Sequence, residues 1–471
     1  MARDGALRLT VDSPTSSSPG LEQVNRMGFR PHVSNGAGLS RDQIEENFAD
    51  LTPTLNHTQA HVESARCLYC YDAPCIKACP TAIDIPTFIH QIRSENLKGS
   101  ARTILSANIM GGTCGRACPT EVLCEEACVL NARGEEPVKI GALQRHAVED
   151  LMARGGSHPF TRAPLSGKTV GVIGAGPAGL SFAHRAAMLG HDAIVFEARP
   201  KPGGLNEYGL AAYKMANEFA QREIDFLLGI GGIKIEYGKA LGRNVSLNEL
   251  KQRCAAVFIG AGITATNALG IPGENLSGVY DALGFIEELR QAKDKSLMRT
   301  GKNVVVIGGG NTAIDAAIQS KRLGAENVTM MYRRGETSMT ATAWERDLAR
   351  TNEVVIRTWA MPVRFEGTAK VTGAVFEKAT MQNGKLTGTG ETFSIPADMV
   401  LKAIGQKLND ATFAEMKLVR GKIAVDETFQ TSVPGVFAGG DCIVSGEDLT
   451  VQAVEDGKRA AIAADRYVRG A

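Results

Sequence analysis

An α/β protein is predicted, with an all-helical N-terminal domain followed by two doubly wound domains. Three observations carry this. TVGVIGAGPAGL and NVVVIGGGNTAI each run from a β-rich stretch through glycines into a helical pattern. Residues 41–160 place apolar residues at helical spacing. Eight of the ten cysteines fall in two short clumps inside that helical region.

The bulk properties set limits. A chain of 471 residues has room for about three domains at ~150 residues each. The net charge is +1 and both signs are scattered, which argues against nucleic acid or a polybasic membrane patch. No apolar run approaches the ~18 residues of a membrane helix. The opening MARDGALRLTVDSPTSSSPG lacks the apolar stretch of a secretory signal, and Asp4, Asp12 and Glu22 weigh against a transit peptide. A flexible arm over residues 1–40 and a reducing, cytoplasmic setting are therefore expected. There, clustered cysteines bind metal more often than they form disulfides.

The helical region begins with RDQIEENFADL before the first clump. IPTFIHQIRSENLKGSARTIL lies between the clumps and KIGALQRHAVEDLMARG follows the second. In the first clump Cys67, Cys70 and Cys75 sit on a tight loop that Cys79-Pro80 ends. The second supplies Cys114, Cys118, Cys124 and Cys128. The simplest count is two iron–sulfur clusters with four ligands each. Zinc is the main alternative, since Cys₄ zinc sites also use short spacings. The Cys-Pro ending favours iron–sulfur: in ferredoxin-type runs the last cysteine serves the other of two clusters. Cys254 and Cys442 stand alone, in no C-x-x-C pair, and read as structural thiols.

HPFTRAPLSGK (158–168) reads as a linker into the first strand. There Gly174, Ala175, Gly176, Pro177, Ala178 and Gly179 complete a G-x-G-x-x-G turn between strand and helix. The first glycine permits the turn, the second lets backbone approach a pyrophosphate, and the third lets helix and strand pack closely. Glu197 ends the next strand, where a carboxylate can accept ribose hydroxyls. The plan restarts with Gly308, Gly309, Gly310, Asn311, Thr312 and Ala313. No acid ends its second strand. Arg333 and Arg334 stand there instead and can pair with a 2′-phosphate, favouring NADP over NAD. In FAGGDC, Gly440 and Asp441 suit contact with the ribityl chain of a flavin. The helix starting near Thr450 could stabilise negative charge on the reduced ring.

Together ARCLYCYDAPCIKACP, TCGRACPTEVLCEEAC, VGVIGAGPAGL, VIGGGNTAIDAA and VFAGGD resemble a known group. From about residue 45 onward the chain is similar to the NAD(P)H-oxidising subunit of dihydropyrimidine dehydrogenase. It is also similar in plan to the N-terminal half of the single-chain enzyme and to the glutamate synthase small subunit. The C-x₅-C from Cys118 to Cys124, the C-x₃-C to Cys128, and KIGALQ (139–144) match the dihydropyrimidine dehydrogenase pattern.

The resemblance implies FAD, NADP or NAD, and two [4Fe-4S] clusters. One cluster would rest on Cys67, Cys70, Cys75 and Cys128, the other on Cys79, Cys118, Cys124 and Gln144. Cys114 becomes a non-ligand. It also implies Gly204, Leu205 and Lys214 near FAD, and Ala403, Ile404 and Gly405 near the nicotinamide nucleotide. The single-chain enzyme has a further basic residue where Thr340 stands, so the 2′-phosphate site here is leaner. The implied domains are residues 41–160 for the clusters, 161–275 with 397–471 for FAD, and 276–396 for NAD(P), the last inserted in the FAD domain. The implied activity is electron input: NAD(P)H reduces FAD, and the clusters carry electrons to a partner subunit bearing FMN and more clusters. No acid–base residue is expected. The rivals are a glutamate synthase small subunit and a non-catalytic scaffold that binds nucleotide and clusters.

Overall fold

The computed structural model describes residues 38–263, 265–408, 410–444 and 448–470. Most of the arm expected over 1–40 lies outside these, but its last residues are built into the fold. Leu39 packs against a buried core, and Ser40 caps helix α1 (Arg41–Asn47) through a reciprocal capping box with Gln43. Asn56 and Gln59 cap α2 (His57–Ser64) in the same way. Then come α3 (Pro74–Ala78), α4 (Ile85–Arg93), α5 (Leu97–Ala107), α6 (Gly111–Ala117) and α7 (Ile140–Arg154). The apolar run between the cysteine clumps is thus two helices. Glu95 takes φ 62° and Asn96 caps the second, accepting from Gly99 N–H. Phe88, Ile89, Ile104 and Leu143 form a dry core among these helices. The cysteines lie on the turns and short helices around it.

The chain continues through β1 (Thr169–Ile173), α8 (Pro177–Met188), β2 (Asp192–Glu197), α9 (Leu205–Tyr208), α10 (Phe219–Leu228), β3 (Ile233–Tyr237), α11 (Leu247–Arg253) and β4 (Ala256–Ile259). It then leaves for a second sheet. This holds β5 (Val279–Asp281), α12 (Ala282–Gln291), β6 (Asn303–Ile307), α13 (Asn311–Arg322), β7 (Asn327–Met331), α14 (Ala343–Thr351) and β8 (Val355–Arg357). An antiparallel sheet of β9 (Ala360–Gly367), β10 (Val371–Gln382) and β11 (Lys385–Pro396) follows, and β12 (Met399–Lys402) completes the second sheet. The chain returns with β13 (Val436–Ala438) and α15 (Thr450–Arg469).

Both large sheets are parallel and five-stranded, ordered β13-β4-β1-β2-β3 and β5-β12-β6-β7-β8. In each, the glycine loop follows an interior strand, β1 or β6, flanked by two strands that come later in the chain, β2 and β4 or β7 and β12. That places it at the carboxyl-end crevice where ligands of such sheets bind. The boundary expected at 396/397 is corrected here. Met399–Lys402 pairs with β6 and β5, so the chain quits the second sheet only after Lys402. The two crossings run side by side, Ala265–Thr266 pairing antiparallel with Gln406–Lys407. No helix among the described residues is long and apolar enough to cross a membrane.

Candidate functional site

The candidate cluster donors divide between two cavities. Cys67, Cys70, Cys75 and Cys128 line one, with Ile85, Ile89 and Ile140. Cys79, Cys118, Cys124 and Gln144 line the other, with Asn108 and Val451. Cys79 belongs to the first clump and Cys128 to the second, so each cavity draws on both. Cys114 also lines the second cavity, only 3% exposed, so that wall carries five candidate donors. Gln144 Nε2 donates to Gly111 C=O at 2.7 Å. This commits the amide nitrogen and leaves the oxygen as the remaining acceptor.

The donor set suits a cationic core. Burial pushes the Cys75 thiol up to about 11, and the neighbouring Cys67 and Cys128 add to the effect. Burial likewise raises Cys124. Cys118 is raised by its hydrogen bond with Cys114 and then by burial. Bare thiolates here would be desolvated and mutually repelled. A bound iron–sulfur core, whose ligation requires the thiolate form, removes both penalties.

The first glycine loop is built by close approach. A Cβ added at Gly174 would sit 2.4 Å from Gly260 C=O, and one at Gly179 would sit 1.9 Å from Gly174 C=O. Gly176 differs: a Cβ there would meet only Gly204 Cα, at 3.8 Å. The outer two glycines are therefore consumed by packing, while the middle one faces open space where a pyrophosphate fits. Gly203 N–H donates to Ala175 C=O at 2.7 Å, bringing the Gly204-Leu205 turn against this loop. Leu205 is 40% exposed there. Pro177 opens α8, and Ala178 lies where α15 crosses. Glu197 accepts from the N–H groups of Ala175 at 2.7 Å and Arg199 at 2.8 Å. Both oxygens of this carboxylate, expected to accept ribose hydroxyls, brace the backbone of the glycine loop and of the turn after β2.

Gly440 abuts Ala178, and its N–H donates to Asp456 at 2.9 Å. Burial, helped by Asp448, raises the neighbouring Asp441 carboxyl to about 6. Thr450 opens α15 and its hydroxyl bonds Asn206 Oδ1 at 2.8 Å. Asp456, Asn206 and Gly457 were not singled out from sequence. Gly457 carried a signal: a glycine inside a helix is costly unless something packs there. A Cβ on it would lie 2.1 Å from Ala178 C=O, so it sets the crossing of α15 over α8.

In the second sheet a Cβ on Gly308 would lie 2.3 Å from Ala403 C=O, so Ala403, Ile404 and Gly405 run beside that loop. Gly309 and Gly310 complete the turn, and Asn311, Thr312 and Ala313 begin α13. Asn311 Oδ1 is buried without a hydrogen-bond partner, as a position awaiting a ligand would be. Arg333 and Arg334 are exposed beyond β7, and the Thr340 hydroxyl stands at the loop's mouth, 3.1 Å from a Cβ added to Gly310. Lys214 is buried between the sheets. Its ammonium pairs with Asp315 at 2.8 Å and with Glu345, both on the second domain. Burial works to lower its pKa, yet these carboxylates hold it above the usual lysine range. Arg290 of α12 adds bonds to the carbonyls of Glu207 and Met215. Cys254 packs beneath Gly171, and Cys442 is enclosed against the carbonyl of Gly439. Each is buried in its own packing environment.

Residues 168–457 match the pyridine nucleotide-disulphide oxidoreductase family. Residues 44–156 match the family described as dihydropyrimidine dehydrogenase domain II, 4Fe-4S cluster. The NAD-dependent dihydropyrimidine dehydrogenase subunit PreT of Escherichia coli K12 is 34% identical over 91% of this chain and 99% of that one. The glutamate synthase [NADPH] small chain of the same organism is 33% identical, over 88% and 92%. Among solved structures, Mycobacterium tuberculosis FprA in complex with NADPH shares the fold. It gives a TM-score of 0.54 at 18% identity, over 65% of this chain and 85% of that one.

Proposed function

Since the chain belongs to the pyridine nucleotide-disulphide oxidoreductases, in the family of dihydropyrimidine dehydrogenase subunits and glutamate synthase small chains, we propose that it delivers electrons to a pyrimidine-reducing partner. It is an NAD(P)H-dependent flavin and iron–sulfur oxidoreductase. The partner would bear FMN and further clusters and reduce uracil or thymine to the 5,6-dihydro form. The overall likenesses to the two kinds of relative are nearly equal. The observation that favours pyrimidine reduction is Gln144 on the wall of the second cysteine cavity, its amide nitrogen already committed.

In this reading Cys67, Cys70, Cys75 and Cys128 hold one cluster, and Cys79, Cys118, Cys124 and Gln144 hold the other. Gly174 to Gly179 and Gly204 to Lys214 frame the FAD site with Gly440, Asp441 and Thr450. Gly308 to Thr312 and Ala403 to Gly405 frame the nicotinamide nucleotide. When bound, FAD accepts a hydride and releases electrons singly, which clusters require. The protein's own work is placement. Gly176 leaves space for the pyrophosphate, and α8 directs its first N–H groups there. The Lys214 ion pairs join the segment after α9 to α13 and α14, fixing one nucleotide site against the other. Val451 belongs both to α15 and to the wall of the second cavity, so the helix that opens at the flavin site also touches a cluster site.

The test is reconstitution. Mixed with a pyrimidine-reducing large subunit, the chain should support NAD(P)H-dependent uracil reduction. Glutamate formation with a glutamate synthase large subunit, without uracil reduction, would refute the proposal. If neither NADPH nor NADH bleached the bound flavin, the scaffold alternative would replace it.

Arg333 and Arg334 bear on the nucleotide. One relative is named for NAD and the other for NADPH. Charge-assisted bonds to a 2′-phosphate are worth about 1.5–3 kcal/mol each. Changing both arginines to Ala is therefore expected to raise KM for NADPH roughly tenfold or more, with little change for NADH. Equal rises for both nucleotides in steady-state assays would remove the arginines from that role.

A further inference from the structure

Helix α10 of the first nucleotide domain lies directly on the cysteine-bearing α6. A Cβ on Gly112 would stand 2.5 Å from Phe219 Cζ and 2.8 Å from Glu223 Oε1, so any larger residue would have to push both side chains aside. Glu223 is 2% exposed. Its Oε1 accepts from Thr113 N–H at 2.9 Å and its Oε2 accepts from the Thr113 hydroxyl. Gly111 opens the same helical turn, and its carbonyl accepts from Gln144 Nε2 at 2.7 Å. The first turn of α6 therefore joins a carboxylate of the flavin domain to the amide of Gln144.

We propose that Glu223 is a positioning residue: by holding the first turn of α6 at Thr113 it fixes the Gly111 carbonyl that anchors the Gln144 amide, and so presents the Gln144 oxygen to the second cysteine cavity. The proposal rests on Gln144 being a cluster ligand. Two features support it. Both bonds to Glu223 come from Thr113, two residues beyond the carbonyl that Gln144 uses. Arg116, three residues beyond Thr113, lies 4.1 Å over the Phe219 ring and pairs with Asp50 and Glu149, clamping the same two helices. Glu223 touches no cysteine in these contacts, so its influence would pass through Gln144.

The experiment compares the cluster-loaded wild type with Gln144→Ala, Glu223→Gln and the double variant. Electron paramagnetic resonance of the reduced protein and a redox titration of each cluster are the readouts. Gln144→Ala should alter the spectrum and midpoint potential of one cluster. Glu223→Gln should alter the same cluster, less strongly, and leave the other as in the wild type. In the double variant the Glu223 change should add nothing. If Gln144→Ala alters one cluster and Glu223→Gln alters neither, the positioning role fails while the ligand stands. If Gln144→Ala alters neither cluster, the ligand reading fails and this proposal with it. Equal disturbance of both clusters by Glu223→Gln would mark a general packing role and overturn the proposal. Should Glu223→Gln not fold, Thr113→Val replaces it. That variant deletes the hydroxyl bond alone and should give a smaller shift confined to the same cluster; no shift would overturn the proposal.

Discussion

Serine in place of Cys124 is expected to remove about half of the bound iron, while serine in place of Cys114 leaves iron content at the wild-type level. The two residues line the same cavity, so the contrast is sharp. A four-iron core of this type offers four positions to the protein, and five candidate donors surround the second cavity. Cys114 is the surplus one in our assignment, with Gln144 in its stead. A serine hydroxyl stays protonated near neutral pH and is a poor partner for iron beside sulfide. Losing Cys124 should therefore empty that cavity and leave its partner on Cys67, Cys70, Cys75 and Cys128 intact. Iron analysis and the visible absorption of anaerobically purified protein read the outcome. Iron loss from Cys114→Ser, together with full retention in Gln144→Ala, would exchange the two roles.

The second large effect concerns the flavin. Gly179→Ala should yield protein with essentially no bound FAD and no NAD(P)H oxidation. The new methyl would fall 1.9 Å from Gly174 C=O, well inside contact distance, and its obstacle is backbone. Helix α8 must then withdraw from β1, and overpacking of this sort costs about 1–3 kcal/mol or more. Withdrawal also moves the N–H groups that face the pyrophosphate. Gly176→Ala serves as the comparison. Its methyl meets only Gly204 Cα at 3.8 Å, so the fold should be undisturbed. It intrudes instead on the space left for the ligand, weakening FAD binding without lowering the melting temperature of flavin-free protein. If both flavin-free variants melt as the wild-type apoprotein does, the packing role given to Gly179 is wrong.

The sequence made some of this plain because the governing interactions are local. The G-x-G-x-x-G turn carries its strand, helix and terminal acid within about thirty residues, the span of one β-turn-α-β unit. Within each clump the cysteines lie a few positions apart, which made metal binding legible, whereas the placing of Cys128 with the first clump and Cys79 with the second came from the resemblance. Other features depend on partners far along the chain. Strand β11 is long but mostly exposed, and it joins a sheet only through β10, which buries Val371, Ala374, Val375 and Phe376 and pairs with β9 on its other side. The break before α5 was partly visible in Asn96, a good cap, whereas the left-handed Glu95 carries no sequence mark. Glu223 looks like any acid on an amphipathic helix until α6 is brought against it. Lys214 was placed near FAD by resemblance alone, and its pairing with Asp315 and Glu345 required both domains to be in view.

The late return of β13 and α15 to the first sheet governs the order in which the molecule can mature on the ribosome. The inserted unit has all its strands once Lys402 has emerged, and it can close while the sheet that hosts it still lacks an edge. The prosthetic dinucleotide meets a finished cradle only after α15 has been made, so its uptake waits on that helix.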